Sequence, residues 1–310
     1  MKKSSRNIIT IGIASILIVG SLFTLSQCAP LQPSNPAQAP TQATQPSIDS
    51  PTPTHTEAID MEVSVIDVGQ GDSILVMSEG RSLLVDAGDR SSGDEVVAYL
   101  REQGVESIDY IVATHGDADH IGGMVEVLET FDVTHDIIAP ELAGTTATYQ
   151  NFAAAVEREP GVGFTTPSVG TSYSLGDATI QIIANGEGEK DTNDSSIVLR
   201  VVCGGKSALL PGDIPERVEL QLVAANAPLD SDLLKAGHHG SKYSSSTIFL
   251  DAVSPDYVVI SYGANNRYGH PAPEALERLR ETGATLYDTV DDGTVVFLFS
   301  DGVIMPPKAA

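Results

Sequence analysis

The feature that most constrains the fold is a cluster of histidines and aspartates placed between an apolar strand and a helix. Residues 108–113 have the character of a buried strand, and His115, Asp117, Asp119 and His120 follow at once. Two carboxylates held this close repel each other unless a cation lies between them. Two imidazoles and two carboxylates suit a divalent transition metal; the alternative is an acidic loop whose aspartates cap a helix. The motif therefore predicts a metal site at the carboxyl end of this strand.

The composition is that of a folded, acidic chain. With 310 residues, 41% hydrophobic and 19% charged, the chain can form one large domain or two small ones, and a disordered or multi-span membrane protein is excluded. Two cysteines, Cys28 and Cys203, exclude a disulfide-rich scaffold and a structural zinc finger. The net charge of −25 excludes sequence-independent nucleic-acid binding by a basic surface. An anionic substrate would need local positive charge.

The N-terminal segment predicts export. Basic residues precede an apolar run over residues 8–23, which is typical of a secretory signal and shorter than the roughly 20 residues that span a bilayer. Residues 1–28 also resemble a bacterial lipoprotein signal in which Cys28 carries the lipid, although Gln27 stands where a small residue is usual. The alternatives are an uncleaved anchor and an ordinary signal peptide. In each case the folded domain is expected outside the cytoplasmic membrane, tethered to it or secreted.

Residues 29–58 are predicted to form an extended Pro/Gln/Thr-rich linker. Seven prolines stand among polar and small residues, with almost no apolar side chains to bury. At about 3.1 Å per residue in polyproline geometry, the segment reaches about 90 Å. One folded domain is then expected over residues 59–305.

The alternation of strand and helix patterns predicts an α/β fold. β-Branched runs predict strands at 61–68, 73–77, 81–86, 108–113, 178–184, 195–203, 206–210, 257–262 and 293–299. Apolar residues at helical spacing predict helices at 93–103, 121–130, 147–158, 214–225, 246–253 and 273–281. This order favours two mixed sheets packed together with helices outside.

Four motifs resemble the metallo-β-lactamase fold, a four-layer αβ/βα sandwich of two mixed sheets. They are the metal motif at 115–123, the strand at 84–88 ending in Asp-x-Gly, the strand at 209–213 whose Asp bridges two metals in the family, and the late histidine motif at 238–241. Residues 67–72, the His238-His239 pair and residues 268–271 are similar to one branch, the extracytoplasmic hydrolase domain of the DNA-uptake protein ComEC. The resemblance covers about residues 61–300. Without the many membrane helices of ComEC, the chain is not expected to be a channel by itself.

The resemblance also implies a ligand set. Metal 1 would be held by His115 and Asp117, metal 2 by Asp119, His120 and His239, and Asp213 would bridge the two ions. His239 is preferred to His238 because it directly precedes a glycine, as ligands do in nuclease members of the fold.

Two departures from the family change the expected metal. Asp117 stands where the family has a second His, and the segment expected to supply a third His to metal 1 reads Asn193-Asp194-Ser195-Ser196. Asn193 or Asp194 either supplies an oxygen ligand or only ends a loop. The oxygen-rich first site favours Mn²⁺ or Mg²⁺ over Zn²⁺ there, so the cofactor is expected to be one or two divalent ions, Mn²⁺ or Zn²⁺.

Hydrolysis is the chemistry that the resemblance implies. A metal lowers the pKa of bound water to about 7, so a metal-bound hydroxide forms near neutral pH, and Asp119 would orient it. His270 would protonate a leaving oxygen or bind a phosphoryl oxygen, or else it is a satisfied loop histidine. The basic residues of the same stretch, Lys235, Lys242 and Arg267, either offset phosphate charge or are solvated surface. The candidate substrate-binding residues are His238, Ser241, Lys242 and Arg267, with Ser241 orienting His239 or binding a substrate oxygen.

Three functions remain open from the sequence. The first is a membrane-tethered phosphodiesterase or nuclease linked to competence and DNA uptake, whose partners are DNA and, through the N-terminal lipid or anchor, the membrane. The second is a metallohydrolase of the same fold that acts on a small or wall-linked ester, lactone or β-lactam. The third is a non-catalytic, metal-stabilised binding module. A β-lactamase is disfavoured because Asp117 and the missing third His depart from the usual zinc enzymes. The oligomeric state is left open.

We predict that Cys28→Ser moves the protein from the membrane fraction to soluble or immature forms, because the thiol that would carry the lipid is lost. Fractionation and immunoblotting measure the shift, with Cys203→Ser as the matched control. Unchanged membrane attachment of the mature mutant would assign retention to the apolar run at 8–23 instead.

Overall fold

The computed structural model describes residues 59–141 and 144–307. The predicted signal segment, with Cys28, and the predicted linker at 29–58 lie outside the described residues. Within the described ranges, no helix is both long and apolar enough to cross a membrane.

Eight strands form one mixed sheet, here called sheet A. They are β1 (Met61–Val65), β2 (Ile74–Ser78), β3 (Arg81–Val85), β4 (Ile108–Val112), β5 (Val133–Ile138), β6 (Phe164–Thr165), β14 (Val295–Ser300) and β15 (Val303–Met305). Their order in the sheet is β15-β14-β1-β2-β3-β4-β5-β6. The neighbours from β15 to β3 pair antiparallel, and those from β3 to β6 pair parallel. The carboxyl ends of β3 and β4 therefore lie side by side.

Seven strands form the second mixed sheet, sheet B. They are β7 (Ser172–Leu175), β8 (Ala178–Ala184), β9 (Val198–Cys203), β10 (Lys206–Leu210), β11 (Leu233–Lys235), β12 (Tyr257–Ile260) and β13 (Thr285–Asp288). Their order is β13-β12-β11-β10-β9-β8-β7. Pairing is antiparallel from β7 to β10 and parallel from β10 to β13, so the carboxyl ends of β10, β11 and β12 also share one edge.

The helices connect the strands and lie on the outer faces of the sheets. They are α1 (Gly93–Glu102), α2 (Ala118–Ile121), α3 (Met124–Leu128), α4 (Ala147–Val156), α5 (Glu216–Ala224), α6 (Thr247–Val253), α7 (Pro273–Glu281), α8 (Thr289–Asp292) and a 3-10 helix at Gly237–Gly240. In α1, Val96, Val97 and Leu100 are buried on one face, as its apolar spacing predicts.

Alternating side chains of each sheet enter different apolar layers. Val85 of β3 and Leu210 of β10 belong to one cluster that lies between the two sheets. Their neighbours Leu84 and Leu209 point outward, Leu84 into a cluster with α1, α3 and α4 and Leu209 into a cluster with α5, α6 and α7. The predicted four-layer sandwich of two mixed sheets with helices outside is confirmed.

The helix predicted at 121–130 is divided into α2 and α3 by two glycines. A Cβ atom on Gly123 would lie 2.2 Å from the carbonyl oxygen of Ala87, and one on Gly122 would lie 2.4 Å from the backbone nitrogen of Arg90. Only glycine allows this contact, which holds the loop after β3 against the segment that follows β4.

The loops that leave parallel strands of both sheets meet at one edge of the sandwich. Asp86 follows β3 and His115 follows β4 in sheet A, whereas Asp213 follows β10 and His239 follows β11 in sheet B. Polar side chains from both sheets are thereby brought to one place.

We predict that Phe297→Ala lowers the free energy of unfolding by about 3–5 kcal/mol, because it opens a cavity between the sheets. Phe297 of β14 is fully buried, and its ring lies 5.7 Å from that of Tyr257 and 5.5 Å from that of Tyr287, both in sheet B. Val303→Ala, at an exposed position of β15, should change the free energy of unfolding by less than about 0.5 kcal/mol. Urea unfolding followed by circular dichroism measures both; a loss under about 1 kcal/mol for Phe297→Ala would contradict this packing.

Candidate metal centre

A buried carboxylate, Asp213, is surrounded by imidazole nitrogens from both sheets. Its Oδ2 lies 3.3 Å from Nε2 of His120, 3.4 Å from Nε2 of His239 and 4.0 Å from Nε2 of His115. All four side chains are almost completely buried. The structure therefore brings together His115, His120, Asp213 and His239, which the sequence places in three separate motifs.

Asp119 and His238 lie on the more open side of this cluster. Asp119 Oδ2 is 3.6 Å from Nε2 of His239 and accepts a hydrogen bond from Gln70 Nε2 at 3.3 Å. His238 Nε2 is 3.6 Å from Asp213 Oδ2, but its side chain is 26% exposed, whereas that of His239 is 1% exposed. The buried member of the histidine pair is thus His239.

The second nitrogen of each buried imidazole is held by a fixed partner. His120 Nδ1 donates to Asp86 Oδ2 at 2.7 Å, and His239 Nδ1 donates to the carbonyl oxygen of Ser261 at 3.0 Å. Thr114 Oγ1 donates to Asp86 at 2.6 Å and so is free to accept from Nδ1 of His115 at 3.0 Å. These bonds place the protons on Nδ1 and direct the Nε2 lone pairs at Asp213, which is how proteins orient metal-binding histidines.

The electrostatics of the cluster call for positive charge beside Asp213. Burial alone would raise the pKa of Asp213, but His239 and His120 outweigh it and hold this pKa well below its usual range. Burial would lower the pKa of His239, yet Asp213 and Asp72 raise it to about 9, and Asp213 and Asp86 likewise raise the pKa of His120. Burial, followed by the charge of His120, lowers the pKa of His115 to about 4. Either protons or a metal ion must supply this charge.

The donor set fits a divalent metal ion. Nε2 of His115 and Oδ1 of Asp213 are buried and have no hydrogen-bond partner within the described residues, which is costly unless a ligand engages them. Imidazole nitrogens and carboxylate oxygens are the ligands of divalent transition metals such as Zn²⁺ and Mn²⁺. The predicted ligands His115, Asp119, His120, Asp213 and His239 lie in groups whose ligand atoms are all within 4.8 Å of one another.

The other oxygen ligands suggested by the sequence lie at the margin or have another partner. Asp117 directly precedes α2 but makes no side-chain capping hydrogen bond; its side chain is 41% exposed, and its Oδ2 is 3.8 Å from Nε2 of His115. Asp194 forms a close ion pair with Arg217, which also binds Glu189 at 2.7 Å. Asn193 Oδ1 is buried without a hydrogen-bond partner in the described part of the chain. Neither Asp117 nor Asp194 belongs to the tight ligand groups among the described residues.

The interpretation of Lys235 as a phosphate-binding cation is wrong. Lys235, the last residue of β11, is 1% exposed and forms a close ion pair with Asp72. Oδ1 of Asp72 in turn lies 3.3 Å from Nδ1 of His239. Burial would raise the pKa of Asp72, but Lys235 and His239 lower it, so the side chain is a carboxylate. Lys235 therefore stabilises the histidine cluster through Asp72 and does not contact substrate.

Sequence reasoning missed the supporting residues Asp72, Asp86 and Gln70. Each stands inside a motif that indicated the family, and none was assigned a role at the site. Their signal is a carboxylate or amide beside Gly at the end of an apolar strand, where a side chain turns toward the sheet edge. Asp86 adopts a left-handed backbone with φ of 57°, which is uncommon for a non-glycine residue and is held by its bonds to Thr114.

A cleft of about 450 Å³ adjoins the cluster. Its lining includes His238, Ser241, Lys242, Tyr243, Tyr268 and His270. The His270 ring is 5.4 Å from that of His238, and its Nδ1 is buried without a partner within 59–141 and 144–307. Burial, then the charges of His238 and His239, lower the pKa of His270 to about 4. Ser241 Oγ accepts a hydrogen bond from the backbone nitrogen of Tyr243 at 3.3 Å, and Arg267 lies over the ring of Tyr268.

Comparison with known proteins agrees with this geometry. The sequence profile of the metallo-beta-lactamase superfamily matches residues 66–264. The chain is 29% identical to ComE operon protein 3 of Bacillus subtilis (strain 168) over 269 residues, which are 79% of this chain and 34% of that protein. It is 35% identical to competence protein ComA of Neisseria gonorrhoeae over 238 residues, 76% of this chain and 32% of that protein. The predicted resemblance is confirmed, and the chain spans about a third of the length of these curated relatives.

A solved structure supports the fold alone. The metallo-beta-lactamase fold protein YhfI from Bacillus subtilis superposes with a TM-score of 0.50 at 13% identity, covering 79% of this chain and 99% of that chain.

We predict that the full-length protein binds one or two equivalents of Mn²⁺ or Zn²⁺ and that Asp213→Ala weakens this binding more than about 100-fold, because Asp213 contacts every imidazole of the cluster. His239→Ala should weaken metal binding to a similar extent, whereas His238→Ala should weaken it less than about tenfold. Isothermal titration calorimetry and elemental analysis measure the binding. His135→Ala, on the exposed side of β5, serves as the control, and the reverse ranking of His238 and His239 would exchange their roles.

Proposed function

The chain belongs to the metallo-β-lactamase superfamily, and from this premise we propose that it is a metal-dependent phosphodiesterase that cleaves DNA. The observation that carries the proposal is the cleft beside the Asp213 cluster. His238 belongs to both, since its Nε2 is 3.6 Å from Asp213 and its ring lines the cleft. Lys242 lines the same cleft and Arg267 stands over Tyr268 at its wall, so two exposed cations flank the cluster in a chain of net charge −25.

The proposed ligands of the ion or ions are His115, Asp119, His120, Asp213 and His239, with Asp117 as a further oxygen on the solvent side. A divalent ion in such a site acts as a Lewis acid and lowers the pKa of bound water. The chain contributes orientation: Asp86, Thr114 and Ser261 hold the three Nδ1 atoms, so each imidazole keeps Nε2 toward Asp213. Preorganised ligands of this kind need no rearrangement when the charge of the reaction develops.

Asp119 and His270 are the proposed catalytic side chains. Asp119 is partly exposed and fixed by Gln70; burial would raise its pKa, but His120 and His239 lower it, so it is ionised and accepts a hydrogen bond from the attacking water. His270 lines the cleft and, in this proposal, donates a hydrogen bond to a phosphoryl or leaving oxygen. In this proposal, His238, Ser241, Lys242 and Arg267 contact the substrate.

Support for DNA as the substrate comes from the relatives, whereas the net charge of the chain opposes it. One relative carries competence in its name, and the matched region is about a third of each protein. The acidic surface repels a polyanion at long range, and attraction must then come from the metal and a few cations at the cleft. We also propose that the chain acts outside the cytoplasmic membrane, held there by residues 1–58.

We predict that the full-length protein, purified in detergent and loaded with Mn²⁺, hydrolyses DNA and bis-p-nitrophenyl phosphate, with Mn²⁺ more effective than Zn²⁺ because the ligand set is rich in oxygen. Nitrocefin should not be cleaved. Single-stranded DNA, double-stranded DNA and the two chromogenic compounds are compared at equal protein concentration with Mn²⁺, Mg²⁺ and Zn²⁺. Asp213→Ala is the inactive control. Cleavage of bis-p-nitrophenyl phosphate or nitrocefin without any cleavage of DNA would replace DNA by a small substrate.

Charge reversals at Lys242 and Arg267 test whether these residues contact the phosphates of DNA. Lys242→Glu and Arg267→Glu should each raise the KM for DNA about tenfold and leave the KM for bis-p-nitrophenyl phosphate within about twofold, because only DNA reaches beyond the metal. Arg101→Glu, on an exposed site of α1, is the matched control. Each removed phosphate contact should also reduce the slope of log affinity against log salt by about 0.9. Unchanged kinetics in both reversals would make Lys242 and Arg267 ordinary surface.

A further inference from the structure

Two tyrosines stand at the cleft with their side chains in solvent. Tyr243 is 65% exposed and Tyr268 is 52% exposed, whereas the other seven tyrosines of the chain are buried or half-buried. Both exposed tyrosines line the 450 Å³ cleft together with His238 and His270. Neither ring belongs to the three apolar clusters that hold residues 59–141 and 144–307 together, so packing does not explain them.

Each of these tyrosines has a cation over its ring. Lys242 Nζ lies 5.0 Å from the ring centre of Tyr243, and the guanidinium carbon of Arg267 lies 5.1 Å from that of Tyr268. The same pairing of an aromatic face with a cation thus occurs twice at one cleft. An aromatic face binds a planar base and a neighbouring cation binds a phosphate, so each pair suits one nucleotide whose base is unstacked.

The backbone that carries each ring is fixed independently of the ring. The carbonyl oxygen of Tyr243 accepts from the backbone nitrogen of Glu216 at 2.7 Å, and Arg278 binds the flanking carbonyl oxygens of Lys242 and Ser244 at 3.0 and 2.8 Å. The backbone nitrogen of Tyr268 donates to Asn266 Oδ1 at 3.1 Å. The two rings are therefore presented on ordered loops, which lowers the entropy lost when a ligand binds.

A row of rings leads from Tyr268 to the candidate metal centre. The Tyr268 ring stacks on that of His270 at 5.8 Å and 24°, and the His270 ring meets that of His238 edge-on at 5.4 Å. His238 Nε2 is 3.6 Å from Asp213. Two imidazoles, those of His270 and His238, therefore connect the Tyr268 ring to the Asp213 cluster.

From these observations we infer that Tyr243 and Tyr268 are a base-stacking platform and that the substrate is single-stranded nucleic acid. The inference rests on the proposed phosphodiesterase function and deepens it. Bases in a duplex are stacked on each other and hidden from such a platform, whereas every unpaired base has a free face. Stacking also suits an acidic protein, because it does not depend on the long-range charge attraction that a chain of −25 lacks.

The test compares binding of two fluorescent single strands of equal length, one an ordinary mixed-sequence oligonucleotide and the other abasic throughout. Anisotropy is measured at low salt with the Mn²⁺-loaded full-length protein, at a temperature and over a time in which gel electrophoresis shows both strands intact, so binding is read without turnover and with the metal in place. Wild type should bind the base-bearing strand about 5- to 150-fold more tightly, and Tyr243→Leu or Tyr268→Leu should remove most of this preference. Tyr243→Phe and Tyr268→Phe keep the ring and should retain it. Circular dichroism establishes that all four variants are folded.

Equal affinity for the two strands overturns the inference, as does a base preference that survives both leucine variants or tighter binding of a duplex of the same sequence. Hydrolysis by the Mn²⁺-loaded protein is measured separately on bis-p-nitrophenyl phosphate and on both strands. Equal cleavage of abasic and ordinary strands contradicts the stacking platform while the phosphodiesterase stands. No cleavage of any phosphodiester, with the base preference intact, contradicts the phosphodiesterase and supports the platform as a binding site.

Discussion

The contact between Asp213 and three buried imidazoles is the interaction on which the site depends. Asp213 follows β10 of sheet B, whereas His115 and His120 follow β4 of sheet A, so the contact joins the edges of the two sheets. A carboxylate buried among apolar layers is tolerated only when positive charge and hydrogen bonds surround it. The loops that carry these side chains therefore meet at one edge of the sandwich, where close glycine contacts hold the loop after β3 against the segment after β4.

Polar residues behind the histidines hold the imidazoles of the cluster in place. Asp86 binds both Thr114 and His120, and Asp72 lies between Lys235 and His239. Buried networks of this kind are stable when every member is paired, because an unpaired group in a low dielectric is costly. The atoms left without a partner in the described residues include Nε2 of His115 and Oδ1 of Asp213, both at the centre. Oδ1 of Asp72, beside His239, also has no hydrogen-bond partner in the described residues, and the unpaired atoms at the centre lie where a metal is expected.

The surface around the centre combines scarce cations with exposed aromatic rings. In a chain with 17 basic and 42 acidic residues, Lys242 and Arg267 each stand over a tyrosine at the cleft beside His238. Long-range attraction of a nucleic acid is weak under these conditions, and short-range contacts have to provide the affinity. The proposed function and the stacking platform follow from the same arrangement: a candidate metal centre for the phosphodiester and, at the cleft beside it, two exposed rings for the bases.

The sequence by itself determined the fold class and the order of the long elements, because these depend on local patterns, and the resemblance of its motifs to the metallo-β-lactamase fold implied the residues of the cluster. Strands β8 and β10 and helix α7 follow directly from periodicity, and the motif from His115 to His120 indicates a metal through its residue types alone. The strands β6, β7, β11, β13 and β15 were not predicted, since two to four residues are too few to show an alternation. The six-residue strand β5 was not predicted either, because its polar centre, Thr134-His135-Asp136, interrupts the apolar pattern. Tertiary structure alone decided which side chains meet. It buried Lys235 against Asp72, and it gathered Tyr243 and Tyr268 at one cleft. These contacts depend on how the two sheets align across the core. Because they join residues that are distant in the chain, no periodic pattern in the sequence predicts them.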